Sequence, residues 1–342
     1  MAKTRVPTNS ALAKKLQDEQ LFRDVLAASY FRRFFGKDKG ALVYEKTDLE
    51  KQKGDAITFG LRGLLTGEGV TSGQTLEGNE EDLKLYDFTV TLERYRHAVR
   101  DEGDLSRQRT AFDLIAEHRA AIKEWGSGKI DTLCFEAIAA DPTVVFYPTA
   151  TASAWTDDAA AAKTALTANT KLTPELIERA AAFAKDGGDR YMVPLRPIKV
   201  DGNEHLVLLV PGPVAYDLRR DEEWLQNMRD ALPRDSKHPI FTGALGMQGN
   251  VVIHSHEKVL KARDGGSGGT IPYGKCSLMG AQALCWAWGT RPKTIEAKFD
   301  YEEEIGVAWA MTAAVGKSHF DSKDYGSIAV YVSHTDIATK AA

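Results

Sequence analysis

Residues 56–92 read AITFGLRGLLTGEGVTSGQTLEGNEEDLKLYDFTVTL, and this stretch carries most of the information about the fold. Large apolar side chains alternate with polar residues or glycine at both of its ends. They are Ile57, Phe59 and Leu61 at one end and Tyr86, Phe88, Val90 and Leu92 at the other. A period of two predicts a β-strand at each end, joined as a hairpin.

The connection between these strands, residues 63–84, is more than 20 residues long and contains five glycines. Loops of this length are uncommon inside a compact domain. An isolated two-stranded hairpin is also only marginally stable in water. We therefore expect a projecting arm that is stabilised by lying on another subunit. The alternative is a disordered surface insertion.

The segment after the hairpin is predicted to be a long helix over 101–125, capped by Asp104 or Ser106. Gly126 and Gly128 are expected to break it before a second helical run, IDTLCFEAIAA. One stripe of the first helix is apolar or aromatic, which is typical of a face that packs on a core. The stripe consists of Ala111, Ile115, His118, Ile122 and Trp125.

The rest of the chain has helices first and strands last. Residues 141–172 contain few large apolar side chains, which indicates surface loop and a short helix. Thr173-Pro174-Glu175 is typical of a helix start, and Gly187-Gly188 of its end. Buried strands are predicted at 205–213 and 249–256, with a helix, DEEWLQNMRDAL, between them.

A flexible loop tip, GGSGG, follows, and three more strand patterns lie within 294–334. Since no regular βαβ repeat appears, the pattern predicts an α+β fold.

The first 40 residues are basic. They carry nine basic and four acidic side chains, a net charge of +5, which leaves −9 on the remainder of a chain whose formal net charge is −4. Apolar residues at helical spacing predict one helix over about 9–35, ending near Gly36. Such an arm faces nucleic acid or an acidic partner surface, or is a solvated amphipathic helix. Its apolar stripe must dock on its own body or on a neighbour.

Composition excludes several classes of protein. No apolar run approaches the ~20 residues of a membrane-spanning helix, so we expect no membrane partner. The N-terminal residues lack the apolar region of a secretory signal. Cys134, Cys276 and Cys285 form no CxxC pair. A disulfide scaffold or cysteine-rich zinc site is therefore not expected, and a reducing cytosol fits.

Two segments contain residues that could form a binding or catalytic site. Residues 269–276, GTIPYGKC, approach the phosphate-binding GxxxxGK[ST] motif, but Cys276 cannot supply the required hydroxyl. His254 and His256 lie on one face of a predicted strand beside Glu257, where they form a polar sheet face or half of a metal site. No GxSxG or HExxH motif is present. We predict that the chain is not an enzyme and has no cofactor or metal.

Five segments together resemble the major capsid proteins of tailed double-stranded DNA phages, in the branch typified by coliphage N-four. The segments occur in the family's order. They are DLEKQKGDAITFGLRGLLTGEGV with GQTLEGNEEDLKLYDFTVTLERYRHAVR within 48–100, VAYDLRRDEEWLQNMRDA at 214–231, PIFTGALGMQGNVVIHSHE at 239–257, GAQALCWAWG at 280–289, and FDYEEEIGVAWAMTAAVGKSHFDSKDYGSIAV at 299–330.

This resemblance implies the HK97-like capsid fold. Its parts would be an N-terminal arm at 1–43, the E-loop hairpin at 44–100, and a peripheral domain with the spine helix at 101–194. An axial domain would follow at 195–290, and 291–342 would return to the peripheral domain.

The resemblance also implies a structural role. Copies would form pentamers and hexamers that close into an icosahedral head around double-stranded DNA, in the virion, after assembly in the host cytoplasm. A portal, and scaffolding or cement proteins, would be partners. The hairpin would contact a neighbour, its acidic tip meeting arginines. The expected contact residues are Thr66, Gly73, Gln74, Thr75, Leu76, Glu77, Glu80, Glu81 and Asp82, with Arg107, Arg109 and Arg119; Lys14, Lys15, Arg32 and Arg33 would face the DNA or hold the arm.

Two other functions are open at this level. One is a metal-dependent hydrolase that uses His254, His256 and Glu257. The other is an auxiliary module that decorates a shell or binds carbohydrate.

Overall fold

The computed structural model describes residues 29–47, 54–62, 69–73, 75–83, 85–109, 113–149, 152–190, 194–200, 202–230 and 240–337. The fold mixes helices with two large sheets, which confirms the predicted α+β class. The helices are α1 Asp104–Arg109, α2 Leu114–Ala139, α3 Ala159–Ala165, α4 Pro174–Arg190, α5 Gly212–Leu218 and α6 Glu222–Asp230, with 3-10 helices at Tyr30–Phe34 and Asp300–Glu302.

The strands in the first half of the chain are β1 Phe35–Gly36, β2 Val43–Lys46, β3 Ala56–Arg62, β4 Leu85–Thr91, β5 Glu93–Arg100, β6 Val145–Pro148, β7 Ser153–Thr156, β8 Ile198–Val200 and β9 Asn203–Val210. Those in the second half are β10 Gly246–Gln248, β11 Val251–Ser255, β12 Lys261–Gly265, β13 Ile271–Met279, β14 Leu284–Phe299, β15 Glu304–Lys317, β16 His319–Phe320, β17 Lys323–Asp324 and β18 Ser327–Ser333.

A long antiparallel ribbon of β14 and β15 forms the centre of a five-stranded sheet, in the order β1-β2-β14-β15-β5. The ribbon is paired from Leu284↔Lys317 to Phe299↔Glu304. Alternate residues of β15, among them Trp309 and Met311, are fully buried. The strands predicted within 294–317 are confirmed, although β14 begins ten residues earlier than the strand pattern indicated.

The second sheet has nine strands, in the order β10-β11-β9-β13-β18-β6-β7 with β8 and β12 at its sides. The predicted strands at 205–213 and 249–256 are confirmed as β9 and β11. The short helix expected within 141–172 is α3, but reading the rest of that segment as loop was wrong. Val145 and Phe146 are buried in β6, which pairs with β18. This strand has only four residues, the last of them Pro148, which is too few for a periodic pattern to show.

The helix α2 is continuous across Gly126 and Gly128, so the predicted break there is wrong. Asp113 caps it, accepting hydrogen bonds from the amides of Ile115 (3.0 Å) and Ala116 (3.2 Å). Gly126 faces the indole of Trp309: a Cβ at this position would lie 2.9 Å from Nε1 and Cε2 of that ring. Glycine is therefore present for close packing on the five-stranded sheet, which outweighs its poor helix propensity.

The predicted helix over 9–35 is wrong in the part that the structure describes, and its residues 9–28 lie outside that part. The chain forms a 3-10 helix at Tyr30–Phe34 and then the strand β1. Phe31 and Phe34 are both buried. Three residues per turn place them on the same side, which an apolar pair at i and i+3 favours here.

The start of α4 is as predicted: the Thr173 hydroxyl accepts a hydrogen bond from the Leu176 amide at 3.3 Å. Its end is not, because the helix continues through Gly187-Gly188 to Arg190. The helix predicted over 221–232 is confirmed as α6.

A buried ion pair joins the two sheets to the end of α2. The Lys317 ammonium lies 2.9 Å from the Asp324 carboxylate and donates to the carbonyls of Ala140 (2.6 Å) and Asp141 (3.0 Å). The same carboxylate accepts from the Thr143 amide at 2.9 Å, just before β6. Every donor of the ammonium therefore has an acceptor, as a buried charge requires.

We expect Lys317→Met to destabilise the chain by about 3–5 kcal/mol, because it leaves the Asp324 charge buried without its partner. The matched control is Lys298→Met, which removes an exposed pair with Glu302 and should change stability by less than about 1 kcal/mol. Urea unfolding followed by tryptophan fluorescence measures both. Equal effects of the two substitutions would contradict the role of the buried pair.

Gly126→Ala should destabilise the chain by about 1–3 kcal/mol, since the new methyl group overlaps the Trp309 ring. At Gly128 a Cβ would meet only the terminal ammonium of Lys258, at 3.3 Å. Gly128→Ala should therefore be neutral or stabilising by up to about 1 kcal/mol. The same unfolding measurement checks the pair, and a stabilising Gly126→Ala would refute the packing argument.

Candidate functional site

The β3–β4 hairpin has one apolar face, as predicted from its alternation. Ile57 lies opposite Val90, and Phe59 opposite Phe88. On the other face the hydroxyls of Thr58 and Thr89 are 2.9 Å apart and exposed. The apolar face packs at its base on small residues of the ribbon, including Cys285, Ala287 and Ala314.

Burial of this face falls steadily toward the hairpin's far end. On the apolar face Ile57 and Val90 are buried at the base, and Leu61 and Tyr86 are half-buried. Leu85, which pairs with Arg62 on the other face, is 72% exposed. The cover ends because β14 and β15 contact only the base. Beyond Leu61 and Tyr86, the described leucines of the hairpin, Leu76, Leu83 and Leu85, are 64%, 44% and 72% exposed.

Gly316 of β15 allows the hairpin to lie this close to the ribbon. A Cβ there would be 2.7 Å from Val90 and 2.9 Å from the Phe88 ring. The Phe88 ring also contacts that of Phe320, with centroids 6.3 Å apart. The hairpin thus follows the ribbon toward residue 320 and continues beyond it.

The tip of the hairpin forms a turn. The Asn79 amide donates to the Leu76 carbonyl at 3.0 Å, and its side chain donates to the Thr75 carbonyl at 2.9 Å. Glu80 accepts from the Gly78 amide at 2.8 Å. Gly73 and Gly78 have positive φ angles, which favour glycine. The acidic side chains Glu77, Glu80, Glu81 and Asp82 are all exposed.

The arginines expected to meet this tip lie on the body of the chain. Arg107 forms ion pairs with Asp101 and Asp104 and donates to the Glu303 carbonyl at 2.9 Å. Arg119 pairs with Glu296 at 2.7 Å, whereas Arg109 is exposed. Two of the three are thus already held by carboxylates of their own copy.

The remaining predicted contact residues differ in where they lie. Thr66, Gln74, Lys14 and Lys15 lie outside the described residues. Arg32 is exposed. Arg33 donates to the Thr242 carbonyl and lies 4.6 Å from the Tyr30 ring centroid, so it holds the segment to its own body.

Asp131, on α2, anchors residues 29–31. Its carboxylate accepts from the Ser29 hydroxyl at 2.6 Å and from the amides of Tyr30 (3.0 Å) and Phe31 (3.2 Å). Sequence analysis missed this residue. The available signal was an acid near the start of the largely apolar helical run IDTLCFEAIAA, where an unpaired carboxylate would be costly.

The histidine pair belongs to the core. His254 is fully buried, and its Nε2 lies 2.7 Å from the Ile240 carbonyl. The Nδ1 of His256 accepts from the Lys258 amide at 3.1 Å, and its ring stacks on Phe135. Glu257 is exposed. No group of three or more potential metal ligands occurs among the residues that the structure describes.

The phosphate-loop-like segment and the cysteines also have structural roles. Residues Ile271–Met279 form the strand β13, so their backbone groups pair with neighbouring strands. Cys134, Cys276 and Cys285 are all buried. Burial raises the pKa of each thiol, to about 11 for Cys285, which suppresses the reactive thiolate. No described helix is long and apolar enough to cross a membrane.

The sequence and the fold are similar to those of phage shell proteins. A family model described as phage capsid protein matches residues 5–339. The major capsid protein of Pseudomonas phage KPP25 is 26% identical over 359 residues, covering 92% of this chain and 93% of that protein. The capsid of Ralstonia phage GP4 superposes with a TM-score of 0.79 at 29% identity, covering 91% of this chain and 93% of that one. The capsid asymmetric unit of Cyanophage Pam1 has a TM-score of 0.74 at 20% identity, covering 91% and 93%, and shares the fold.

Burial lowers the pKa of His254 to about 4, below the ordinary value of about 6.5. Between these values the unfolded chain binds a proton that the folded chain does not. The free energy of unfolding should therefore fall by about 2 kcal/mol from pH 7 to pH 4.5 at this site. His254→Gln, whose amide can still donate to Ile240, should reduce the fall in the urea midpoint. An unchanged fall would contradict this assignment.

Proposed function

Because the chain belongs to the phage capsid protein family, we propose that its copies are joined in a phage head by the β3–β4 hairpin lying across a neighbouring copy. The chain is a major capsid protein with the HK97-like fold. Its role in the virion is structural and not enzymatic.

The uncovered outer half of the hairpin is the observation that carries the proposal. Beyond the ribbon it leaves three leucines exposed, Leu85 (72%), Leu83 (44%) and Leu76 (64%). A two-stranded hairpin gains little stability alone, so an arm with these exposed leucines needs a surface to lie on. In a shell, the adjacent copy supplies that surface.

The arrangement of copies follows from the kind of contact. An arm on one copy that meets a different surface on the next is a heterologous contact, which closes into rings. Pentamers and hexamers of this kind would build an icosahedral head around double-stranded DNA, with a portal at one vertex. Assembly would take place in the host cytoplasm, with scaffolding or cement proteins where needed.

The basic N-terminal segment fits an inward position in such a head. Lys14, Lys15 and Arg32 would make weak contacts with packaged DNA that depend on salt. The division into N-terminal arm, E-loop, peripheral and axial domains is part of the same proposal. In this chain the nine-stranded sheet draws β6, β13 and β18 from three of those segments, so the domains are not consecutive stretches of sequence.

Deleting residues 66–82 tests the proposal. Arg62 and Leu85 are the last pair of the ladder. After the deletion five residues, 63–65 and 83–84, connect them, which is enough to close a hairpin loop. We expect a folded chain that builds no shells. Negative-stain electron microscopy after size exclusion, with co-expression of other phage head proteins, compares it with the full chain.

The control is the fold of the shortened chain. Its circular dichroism and urea midpoint should match those of the full chain, because the described residues among those deleted are exposed except for the half-buried Val70. Intact shells from the shortened chain would sink the proposal.

A further inference from the structure

We propose that the outer face of the five-stranded sheet is the surface on which the hairpin tip of a second copy docks. The outer face is the side of β5, β15 and β14 that points away from α2. This inference rests on the proposed function and identifies the receiving surface for the arm.

The strand registers define this face as four rows of three residues. On the opposite side, Tyr95, Val99, Trp309 and Met311 pack into the core with α2. Alternation along β5 and β15 therefore places the intervening residues outside. Their ladder partners on β14, which is irregular around Thr290, complete the rows. The rows are Arg94–Thr312–Thr290, Arg96–Ala310–Lys293, Ala98–Ala308–Ile295 and Arg100–Gly306–Ala297.

The centre of this face is a shallow floor of small side chains. Ala308, Ala310 and Gly306 run along β15, with Ala98 beside them on β5. The same strand carries Ala314 and Gly316 beneath the base of its own hairpin. One half of the face thus already receives an apolar hairpin. The other half has the same small residues: Ala98 is exposed, Gly306 and Ala308 are half-buried, and Ala310 is buried between its neighbours.

Cations line this floor. Arg96 and Lys293 lie on either side of Ala310 in one row, and Arg94 lies in the next row. The four rows contain no acidic residue. At the far end Arg100 pairs with Glu304 and stacks on Phe299, whose ring covers Gly306 and closes the floor. The surface therefore suits an apolar segment that carries negative charge.

The hairpin tip has that chemistry. Leu76 and Leu83 are 64% and 44% exposed, and Glu77 and Asp82 are exposed beside them. Acidic groups that meet cations across an interface fix its register and suppress wrong partners.

The tip must come from another copy. Only Leu92 separates β4 from β5, and Leu92 lies over Gly289. From there β5 runs along β15 to Gly306, whereas the hairpin runs the opposite way, past Gly316 and Phe320. A copy's own tip therefore points away from its own outer face. The contact is heterologous, so each copy both gives a tip and receives one.

A charge exchange tests the surface. Arg96→Glu with Lys293→Glu reverses the outer face, and Glu77→Lys with Asp82→Lys reverses the tip while keeping Glu80, which forms the turn. Like charges across an interface cost several kcal/mol, so each double variant should give about tenfold fewer shells or none. Combining all four substitutions should restore assembly.

The matched control is Lys199→Glu with Lys261→Glu, which reverses two exposed lysines on the nine-stranded sheet. It should assemble normally. Shells from the outer-face variant, or no recovery in the combined variant, would overturn the inference. If the deletion of 66–82 still abolishes shells in that case, the arm's role stands and only its docking surface is wrong.

Cross-linking gives a second measurement that does not reverse any charge. The native cysteines are buried, so Leu76→Cys with Ala98→Cys places the reactive thiols on tip and outer face alone. A bis-maleimide should give a ladder of dimers, trimers and larger species from assembled particles. Each single variant should give none, and a double variant that stays monomeric in particles would contradict the docking.

Discussion

The ammonium group of Lys317 sits where the long helix and both sheets meet, and the shape of the body depends on it. It satisfies carbonyls at the end of α2 while pairing with Asp324, whose carboxylate also binds the amide before β6. The end of the ribbon is thus tied to the start of the nine-stranded sheet. A buried charge tolerates few arrangements of its partners, so this cluster fixes how the two sheets join.

That rigid junction gives the hairpin a defined direction. The base of the arm lies on Ala287, Ala314 and Gly316 of the ribbon, and the ribbon's end is held by Lys317. Small side chains let the arm approach closely, and the rigid ribbon orients it. The outer half then leaves the body with Leu76, Leu83 and Leu85 exposed. The arm's exposure follows from the length of the ribbon beneath it.

The hairpin, the strands β9 and β11 and the start of α4 could be predicted from sequence, because each is marked by a local pattern. The continuity of α2 could not, since Gly126 is explained by Trp309, which lies far away in sequence. The 3-10 helix depends on Asp131 in the same way. The alternation of Arg94, Arg96 and Arg100 was visible, but their neighbours on β14 and β15 come from about 200 residues later. Only the register brings Lys293 beside Ala310.

An arm and an outer face at opposite ends of one ribbon determine how copies associate. Because a tip cannot reach the outer face of its own copy, a dimer with one such contact still has one free tip and one free outer face. Further copies can therefore be added. The charges on the outer face orient the incoming tip but add little to its affinity, because each exposed ion pair contributes little free energy. The apolar contact supplies most of the affinity per copy. Since every copy in a closed shell is held by several such contacts at once, each can be modest and the shell still stable.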